Sequence, residues 1–369
     1  MRDFRCAGEA NSASTSRRDL LKAFTAAGAG ALLSKGALRA QDGQSNPRRI
    51  DMHHHFQIEL GGSGGGRGRG GGGRPWTPAE SIDQMDKHGV AFAMLSHPGN
   101  GDEVFDGTPK GAALARQINE GGAKIVSDNP KRFGLFAVLP MPDVDGSLKE
   151  IEYAFDTLKA DGIGTLSNTG ESWPGNPKYL PIFEELNRRK AVVFIHPFVN
   201  KCCRQLQPGV NDAVVEFDID TTRAITGLLY NGVFSKCPNI SFIVNHSGAA
   251  IPALSGRIKD RVPGASSFRT AGGQAGGPSN HEGKSANIPD GVFAELRKLY
   301  YECAHAAYPM SIAALTKLVP PSQYLFGTDY PAEPMESTLD HLPEDGLSPE
   351  VMRALNRGNA ERLFPRLKA

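Results

Sequence analysis

Four short apolar segments of the chain each end in a side chain that can bind a metal ion. They are residues 50–55, 192–196, 242–246 and 324–329, and their last residues are His55, His196, His246 and Asp329. Apolar runs of this length are typical of buried parallel strands, and the carboxyl ends of such strands carry the active sites of (β/α)8 barrels. Imidazole and carboxylate ligands suit zinc or manganese, and an open coordination position leaves room for water or a substrate. The pattern therefore predicts a mononuclear metalloenzyme.

The first of these segments contains three consecutive histidines, His53, His54 and His55. Alternate residues of a strand face the same side, so His53 and His55 can bind one ion while His54 points away and packs behind the strand. A histidine triplet near a terminus is also typical of a purification tag. Its place inside an apolar strand, and the three similar strand ends, favour a metal site.

Length and charge are those of a single-domain enzyme. The chain has 369 residues and a formal net charge of +1. One large α/β barrel can reach this size, and a charge near zero gives no long-range field that would attract nucleic acid or an anionic membrane. The five cysteines show neither zinc-ribbon spacing nor a dense disulfide framework. Adjacent Cys202 and Cys203 follow His196 and are interpreted as reduced thiols of a loop.

The first forty residues are predicted to lie outside the fold. A twin arginine, Arg17 and Arg18, precedes a weakly apolar, Ala/Gly-rich stretch. This arrangement predicts a twin-arginine export signal over residues 1–40, cleaved near Ala40, with residues 41–369 as the mature catalytic domain in the periplasm or outside the cell. The stretch is too short and too mildly apolar for a stable membrane span. The alternative is an amphipathic N-terminal helix, which the glycines disfavour.

Strand and helix patterns alternate along the remaining chain, and this alternation predicts an α/β fold with a single distorted (β/α)8 TIM barrel. The predicted strands are residues 50–55, 90–96, 133–139, 162–166, 192–196, 242–246, 299–303 and 324–328. The predicted helices are residues 78–87, 110–127, 147–159, 181–189, 221–234 and 349–362.

Two irregular segments interrupt this alternation. Residues 61–74 are almost wholly Gly and Arg, and we interpret them as a mobile flap because glycine at this density does not hold one conformation. Residues 263–289, rich in Gly, Ser and Asn, are expected to cover one edge of the barrel mouth. Substrate specificity would lie in these segments, and the flap arginines favour an anionic substrate.

Several motifs resemble those of the amidohydrolase-2 family, which includes aminocarboxymuconate-semialdehyde decarboxylase and several hydroxybenzoate decarboxylases. The motifs are residues 50–55, 85–90, 193–197, 246–248 and 326–331. Three further stretches are most similar to 6-methylsalicylate decarboxylase-like members, and they are residues 132–136, 184–189 and 217–223. The resemblance spans residues 48–367 and implies the TIM barrel of metal-dependent hydrolases.

The resemblance also implies roles for particular residues. Its metal ligands fall on His53, His55, His196 and Asp329, around one divalent ion, with zinc as the first choice and manganese as the alternative. His246 matches a catalytic histidine that handles the proton of metal-bound water.

A second group of residues would support the site. Arg257, eleven positions after that histidine, matches an arginine that holds the substrate carboxylate in a neighbouring subunit's site, which implies a homodimer. An interface ion pair is the alternative for Arg257. Glu302 is a candidate to contact the metal ligands without binding the ion itself.

The remaining candidates are weaker. His97 and His305 either face the pocket or make a loop hydrogen bond. Arg223 is interpreted as a structural salt-bridge former. Three histidines are interpreted as surface or helix residues, and they are His88, His281 and His341.

Three functions are compatible with these residues. The first is a metal-dependent decarboxylase of a hydroxylated aromatic or related unsaturated carboxylic acid, in which Asp329 or His246 supplies the proton that replaces CO2. The second is a hydrolase of a lactone, ester or amide that uses metal-activated water. The third is a non-catalytic periplasmic binding protein that keeps the barrel, which is disfavoured because every expected ligand is present.

Overall fold

The computed structural model describes residues 46–58, 76–97, 103–170, 172–262 and 283–368. The predicted export signal and the predicted flap at residues 61–74 lie outside the described residues, as does most of the insertion at residues 263–289. Within the described ranges, no helix is long and apolar enough to cross a membrane.

Eight parallel strands follow one another around the sheet in chain order. They are β1 Arg49–His55, β2 Val90–Ser96, β3 Phe133–Val138, β4 Gly162–Leu166, β5 Val192–His196, β6 Ser241–Val244, β7 Tyr300–Glu302 and β8 Tyr324–Leu325. The segment after β8 returns to β1, since the amide of Met52 donates to Phe326 O (2.9 Å) and that of His55 to Tyr330 O (2.7 Å). These bonds connect the first and last strands, and the predicted (β/α)8 barrel is confirmed.

Helices alternate with the strands and cover the outside of the barrel. They are α1 Pro78–Lys87, α2 Pro109–Asp128, α3 Val144–Glu152, α4 Leu180–Arg188, α5 Glu216–Tyr230, α6 Val233–Lys236, α7 Ile251–Asp260, α8 Val292–Leu296, α9 Pro309–Leu318, α10 Glu336–Leu339, α11 Pro349–Arg353 and α12 Asn359–Leu363. Local signals explain where the first two begin. A threonine (Thr77 or Thr108) caps the first turn by accepting a backbone N–H, and a proline follows it.

The predicted helices are confirmed in place; the first has the predicted bounds, residues 78–87, and the others differ in extent. The helix expected at residues 221–234 begins earlier, at Glu216, and ends at Tyr230 because Gly232 adopts a left-handed conformation (φ 74°) and separates α5 from α6. The helices expected at residues 147–159 and 349–362 each contain a π-helical turn, at Tyr153–Thr157 and Ala354–Gly358.

Several predicted strands are shorter than expected, and two of them end before their functional residue. β6 ends at Val244 and β8 at Leu325, so His246 and Asp329 lie beyond the strands. Both residues have positive φ angles, 48° and 61°. Such angles are uncommon outside glycine, and here they turn the chain sharply at the carboxyl end of the barrel.

A bulge in β1 determines which residues face the barrel interior. Pairing with β2 shifts between Asp51 and His54. One extra residue in a strand reverses the side on which the following side chains lie. Ile50 and Met52 pack in the buried core cluster with Phe194 and Leu325. The bulge then allows His53 and His55, rather than His54, to join the ligand cluster at the carboxyl end of the barrel.

Candidate metal centre

Three imidazoles and one carboxylate converge at the carboxyl end of the barrel. Ligand atoms of His53, His55, His196 and Asp329 all lie within 4.8 Å of one another, and all four residues are buried. His55 Nε2 lies 3.2 Å from His53 Nε2 and 3.1 Å from His196 Nε2. Asp329 Oδ1 lies 2.8 Å from His55 Nε2 and 3.2 Å from His53 Nε2. The structure thus brings together the four residues predicted as ligands.

These separations fit a bound cation. Ligand atoms about 2.0–2.2 Å from an ion, at angles between 90° and 109°, lie roughly 2.8–3.6 Å from one another. His55 Nδ1 must carry a proton because it lies 3.1 Å from the carbonyl oxygen of Ser96, so its Nε2 presents a lone pair. Asp329 Oδ1 faces the Nε2 atoms of His55 and His53, and no backbone N–H or hydroxyl of the described residues donates to it. Lone pairs at such short distances repel one another unless a cation lies between them, so the donor set fits a divalent metal.

Glu302 supports the centre from behind. Its Oε1 accepts from His53 Nδ1 (2.9 Å) and from the amide of His246 (2.8 Å), while Oε2 accepts from the amide of Ala304 (2.7 Å). A carboxylate on the far nitrogen of a metal-binding histidine fixes the tautomer and orients the ring. The close approach requires a glycine, since a Cβ on Gly327 would overlap the Glu302 carboxylate.

His246 lies beside the four ligands. Its ring stacks on that of His53 with centroids 5.6 Å apart. Nδ1 lies 3.2 Å from Asp218 Oδ1, and Nε2 is buried without a hydrogen-bond partner among the described residues. An imidazole held by a carboxylate at one nitrogen can accept or return a proton at the other. Asp218 was not identified from the sequence, although it lies in one of the stretches that carry the family resemblance.

The structure places His305, for which two interpretations were open, against Asp329, the predicted ligand that follows β8. Its Nε2 is 2.7 Å from Asp329 Oδ2, and its ring meets that of His246 edge-on at 5.0 Å between centroids. The other undecided histidine, His97, is buried edge-on against Phe56.

Two buried carboxylates, those of Asp329 and Glu302, shift the pKa values of the histidines around them. Burial alone lowers the pKa of His53, but the charges of Asp329 and Glu302 outweigh it and raise the pKa to about 10. Burial raises the pKa of Asp329, yet the charge of His53 and the hydrogen bond from His305 hold it well below its usual range. In the metal-free protein a proton on His53 thus balances the anionic charge. A metal must displace this proton, so its apparent affinity falls as the pH falls.

Arg257 does not reach the metal centre of its own chain. It lies exposed on α7 and has no hydrogen-bond or ionic partner among the described residues. It lines a cavity of about 770 Å³ between α5 and α7, together with Arg223, Arg261, Trp173 and Tyr230. None of the four predicted ligands lines this cavity.

The other interpretations can be compared directly with the structure. His54 points away from the centre, between Asp51 Oδ2 (3.0 Å) and Ser81 Oγ (2.6 Å), as predicted. Arg223 lies 3.8 Å from Asp220 in the expected ion pair.

The remaining described residues lie outside the ligand cluster. Neither Cys202 nor Cys203 forms a disulfide. His88 pairs with Glu336 and His341 packs against Tyr308, while His281 lies outside the described residues.

Fold and ligand geometry together define a TIM-barrel protein with a candidate metal site at the carboxyl ends of its strands. The family profile described as amidohydrolase matches residues 50–366. The chain belongs to the amidohydrolase family.

Two curated relatives are decarboxylases. Decarboxylase yanB of Aspergillus niger is 30% identical over 342 residues, which cover 87% of this chain and 88% of that protein. The 6-methylsalicylic acid decarboxylase of Penicillium expansum is 31% identical over 333 residues, which cover 87% of this chain and 97% of that protein. The predicted similarity to this part of the family is confirmed.

Solved structures share the fold. A 2,6-dihydroxybenzoate decarboxylase from Rhizobium has a TM-score of 0.71 at 18% identity, covering 86% of this chain and 98% of that one. A dihydroxybenzoic acid decarboxylase from Polaromonas, with bound manganese and the inhibitor 2-nitroresorcinol, has a TM-score of 0.69 at 21% identity, covering 87% and 98%.

Removal of one ligand is expected to abolish tight metal binding. In His196→Ala the affinity should fall by more than the roughly 10–100-fold typical of outer hydrogen-bond partners. Metal at 100 times its Kd should stabilise the wild-type protein by about 2.7 kcal/mol, and this gain should disappear in the variant. Metal content after dialysis and unfolding with and without metal measure both effects. His88→Gln, at a histidine outside the centre, is the control, and equal metal content in all three proteins would contradict the assignment.

Proposed function

We propose that this protein is a metal-dependent, non-oxidative decarboxylase of a hydroxylated aromatic or related unsaturated carboxylic acid. The observation that carries this proposal is the cluster of His53, His55, His196 and Asp329, in a chain whose relatives across 87% of its length are decarboxylases. A hydrolase with the same ligands would be expected among hydrolytic relatives, so the comparisons favour the lyase.

The site supplies the groups that this reaction needs. A bound divalent ion would stabilise the negative charge that develops on the substrate oxygens. Loss of CO2 leaves an electron pair on carbon, and a proton must be delivered there. Two groups can deliver it. Asp329 has a carboxylate at the ligand cluster that would first take up a proton, since its pKa is held well below the usual range. His246 offers a buried Nε2 while Asp218 holds its Nδ1.

We propose zinc as the resident ion and manganese as the alternative. Three imidazole nitrogens and one carboxylate form a donor set common for zinc. The Polaromonas relative contains manganese, and the same ligand types accept either ion, so the metal available during folding contributes to the choice.

We also propose a homodimer in which Arg257 binds the substrate carboxylate in the partner's site. Support comes from its exposed guanidinium on α7, which has no ionic partner in the part of the chain that the structure describes and lines a cavity that none of the four predicted ligands lines. A guanidinium without a carboxylate partner among the described residues is suited to bind the carboxylate of a substrate in two hydrogen bonds.

CO2 release from a panel of 2-hydroxybenzoates and related acids tests the proposed reaction. Metal-loaded wild-type protein should release CO2, and His246→Ala and Asp329→Asn should lose at least about 100-fold in kcat if these groups transfer the proton. Arg257→Ala should mainly raise KM, since it removes substrate binding rather than chemistry. Arg353→Ala, at an exposed arginine paired with Glu350, is the matched control. Absence of CO2 release from every acid, with metal bound, would contradict the proposal and favour hydrolysis of lactones or esters.

We propose, from the twin arginine alone, that the protein is exported in folded form and works in the periplasm or outside the cell. Replacement of Arg17 and Arg18 by lysine should leave the protein in the cytoplasm, as cell fractionation would show. The same distribution for both proteins would contradict this proposal.

A further inference from the structure

We propose that His305 is a positioning residue that makes Asp329 offer a single oxygen to the metal. This inference rests on the proposed metal centre and adds a residue whose role the sequence left open. Asp329 is buried, and its two carboxylate oxygens have different surroundings. Oδ1 faces His55 Nε2 (2.8 Å) and His53 Nε2 (3.2 Å) at the ligand cluster. Oδ2 faces His305 Nε2 at 2.7 Å.

The short contact at Oδ2 decides how the carboxylate can bind. A carboxylate oxygen only accepts hydrogen bonds, so His305 Nε2 donates to it. Rotation of the carboxylate to present both oxygens to the ion would break this bond. His305 thus favours binding through Oδ1 alone, which leaves a coordination position for a substrate oxygen.

The backbone conformation at position 305 indicates that a histidine is present there for this hydrogen bond and not for packing. His305 has φ 54° in the turn that follows β7, where Ala306 N donates to Cys303 O at 3.1 Å. Non-glycine residues at such angles are strained, and they are found where the surrounding structure or a function requires them. Burial does not explain the choice, because 36% of the side chain is exposed.

The contacts of the ring point in the same direction. Among the described residues its hydrogen-bond partner is Asp329, and its edge meets the ring of His246 at 5.0 Å between centroids. His305 therefore lies between solvent and the two groups that the proposed reaction uses. In this position it can hold Asp329 in place without binding the ion itself.

Three variants separate positioning from a structural role. His305→Gly removes the donor and also relieves the positive-φ strain. His305→Gln replaces the ring by an amide whose nitrogen has a similar reach to Nε2. His341→Gln is the matched control, because His341 is a half-buried histidine whose ring packs on Tyr308. Zinc and manganese affinities are measured by competition with a chelator, and thermal unfolding is measured on the metal-free proteins.

We expect His305→Gly to bind metal about 10–100-fold more weakly, while its metal-free melting temperature is equal to or above that of the wild type. His305→Gln should recover most of the affinity, and His341→Gln should bind metal like the wild type. Three results would overturn the inference: unchanged affinity in His305→Gly, a loss of affinity accompanied by a lower metal-free melting temperature, or no recovery in His305→Gln.

These results do not depend on turnover. Wild-type protein that binds metal but releases no CO2 would contradict the proposed reaction and leave the affinity comparison as a test of His305. Wild-type protein that binds neither ion would overturn both proposals.

Discussion

The structure depends on one buried carboxylate, that of Asp51, which joins the first strand to the segment after the last. Its Oδ1 accepts from the amides of His53 and Thr328, both at 3.1 Å, and its Oδ2 accepts from Thr328 Oγ1 (2.6 Å) and His54 Nδ1 (3.0 Å). Asp329 N in turn donates to His53 O at 2.7 Å. A buried carboxylate is stable only when such donors surround it. The same bonds that close the barrel therefore fix a histidine from the start of the chain against an aspartate from near its end.

Charge explains why this arrangement calls for a cation. Asp329 and Glu302 are both buried beside three histidines, and burial of two anions without a counter-charge is costly. In the metal-free protein, a proton on His53 supplies part of that charge, as its raised pKa shows. A divalent ion supplies more and satisfies the converging lone pairs of the imidazoles. Metal binding and local order at the barrel mouth are therefore linked, because the ligands come from strands far apart in the chain.

The sequence predicted the parts of this account that depend on local pattern. Strand periodicity identified His53 and His55 on one side and His54 on the other, and the strand ends indicated His196. Features that depend on contacts between distant segments were not predicted. Hydrophobic runs did not show that the chain leaves β6 and β8 before His246 and Asp329, since positive-φ turns have no apolar period. Sequence spacing also gives no sign of the bulge in β1. Nor does it connect Asp218 with His246, or His305 with Asp329, because these pairs are far apart in the chain. The position of Arg257 was not predicted either, since no helix was predicted over Ile251–Asp260 and the cavity that Arg257 lines is formed by distant segments.

Anomalous X-ray scattering from crystals of the metal-loaded protein, recorded at the zinc and manganese edges, tests the central claim most directly. The account predicts one strong peak per chain, roughly 2.0–2.3 Å from the Nε2 atoms of His53, His55 and His196 and from Asp329 Oδ1. A strongest peak bound by His246 and His305 instead, or no peak at the ends of the strands in crystals that contain metal, would contradict it.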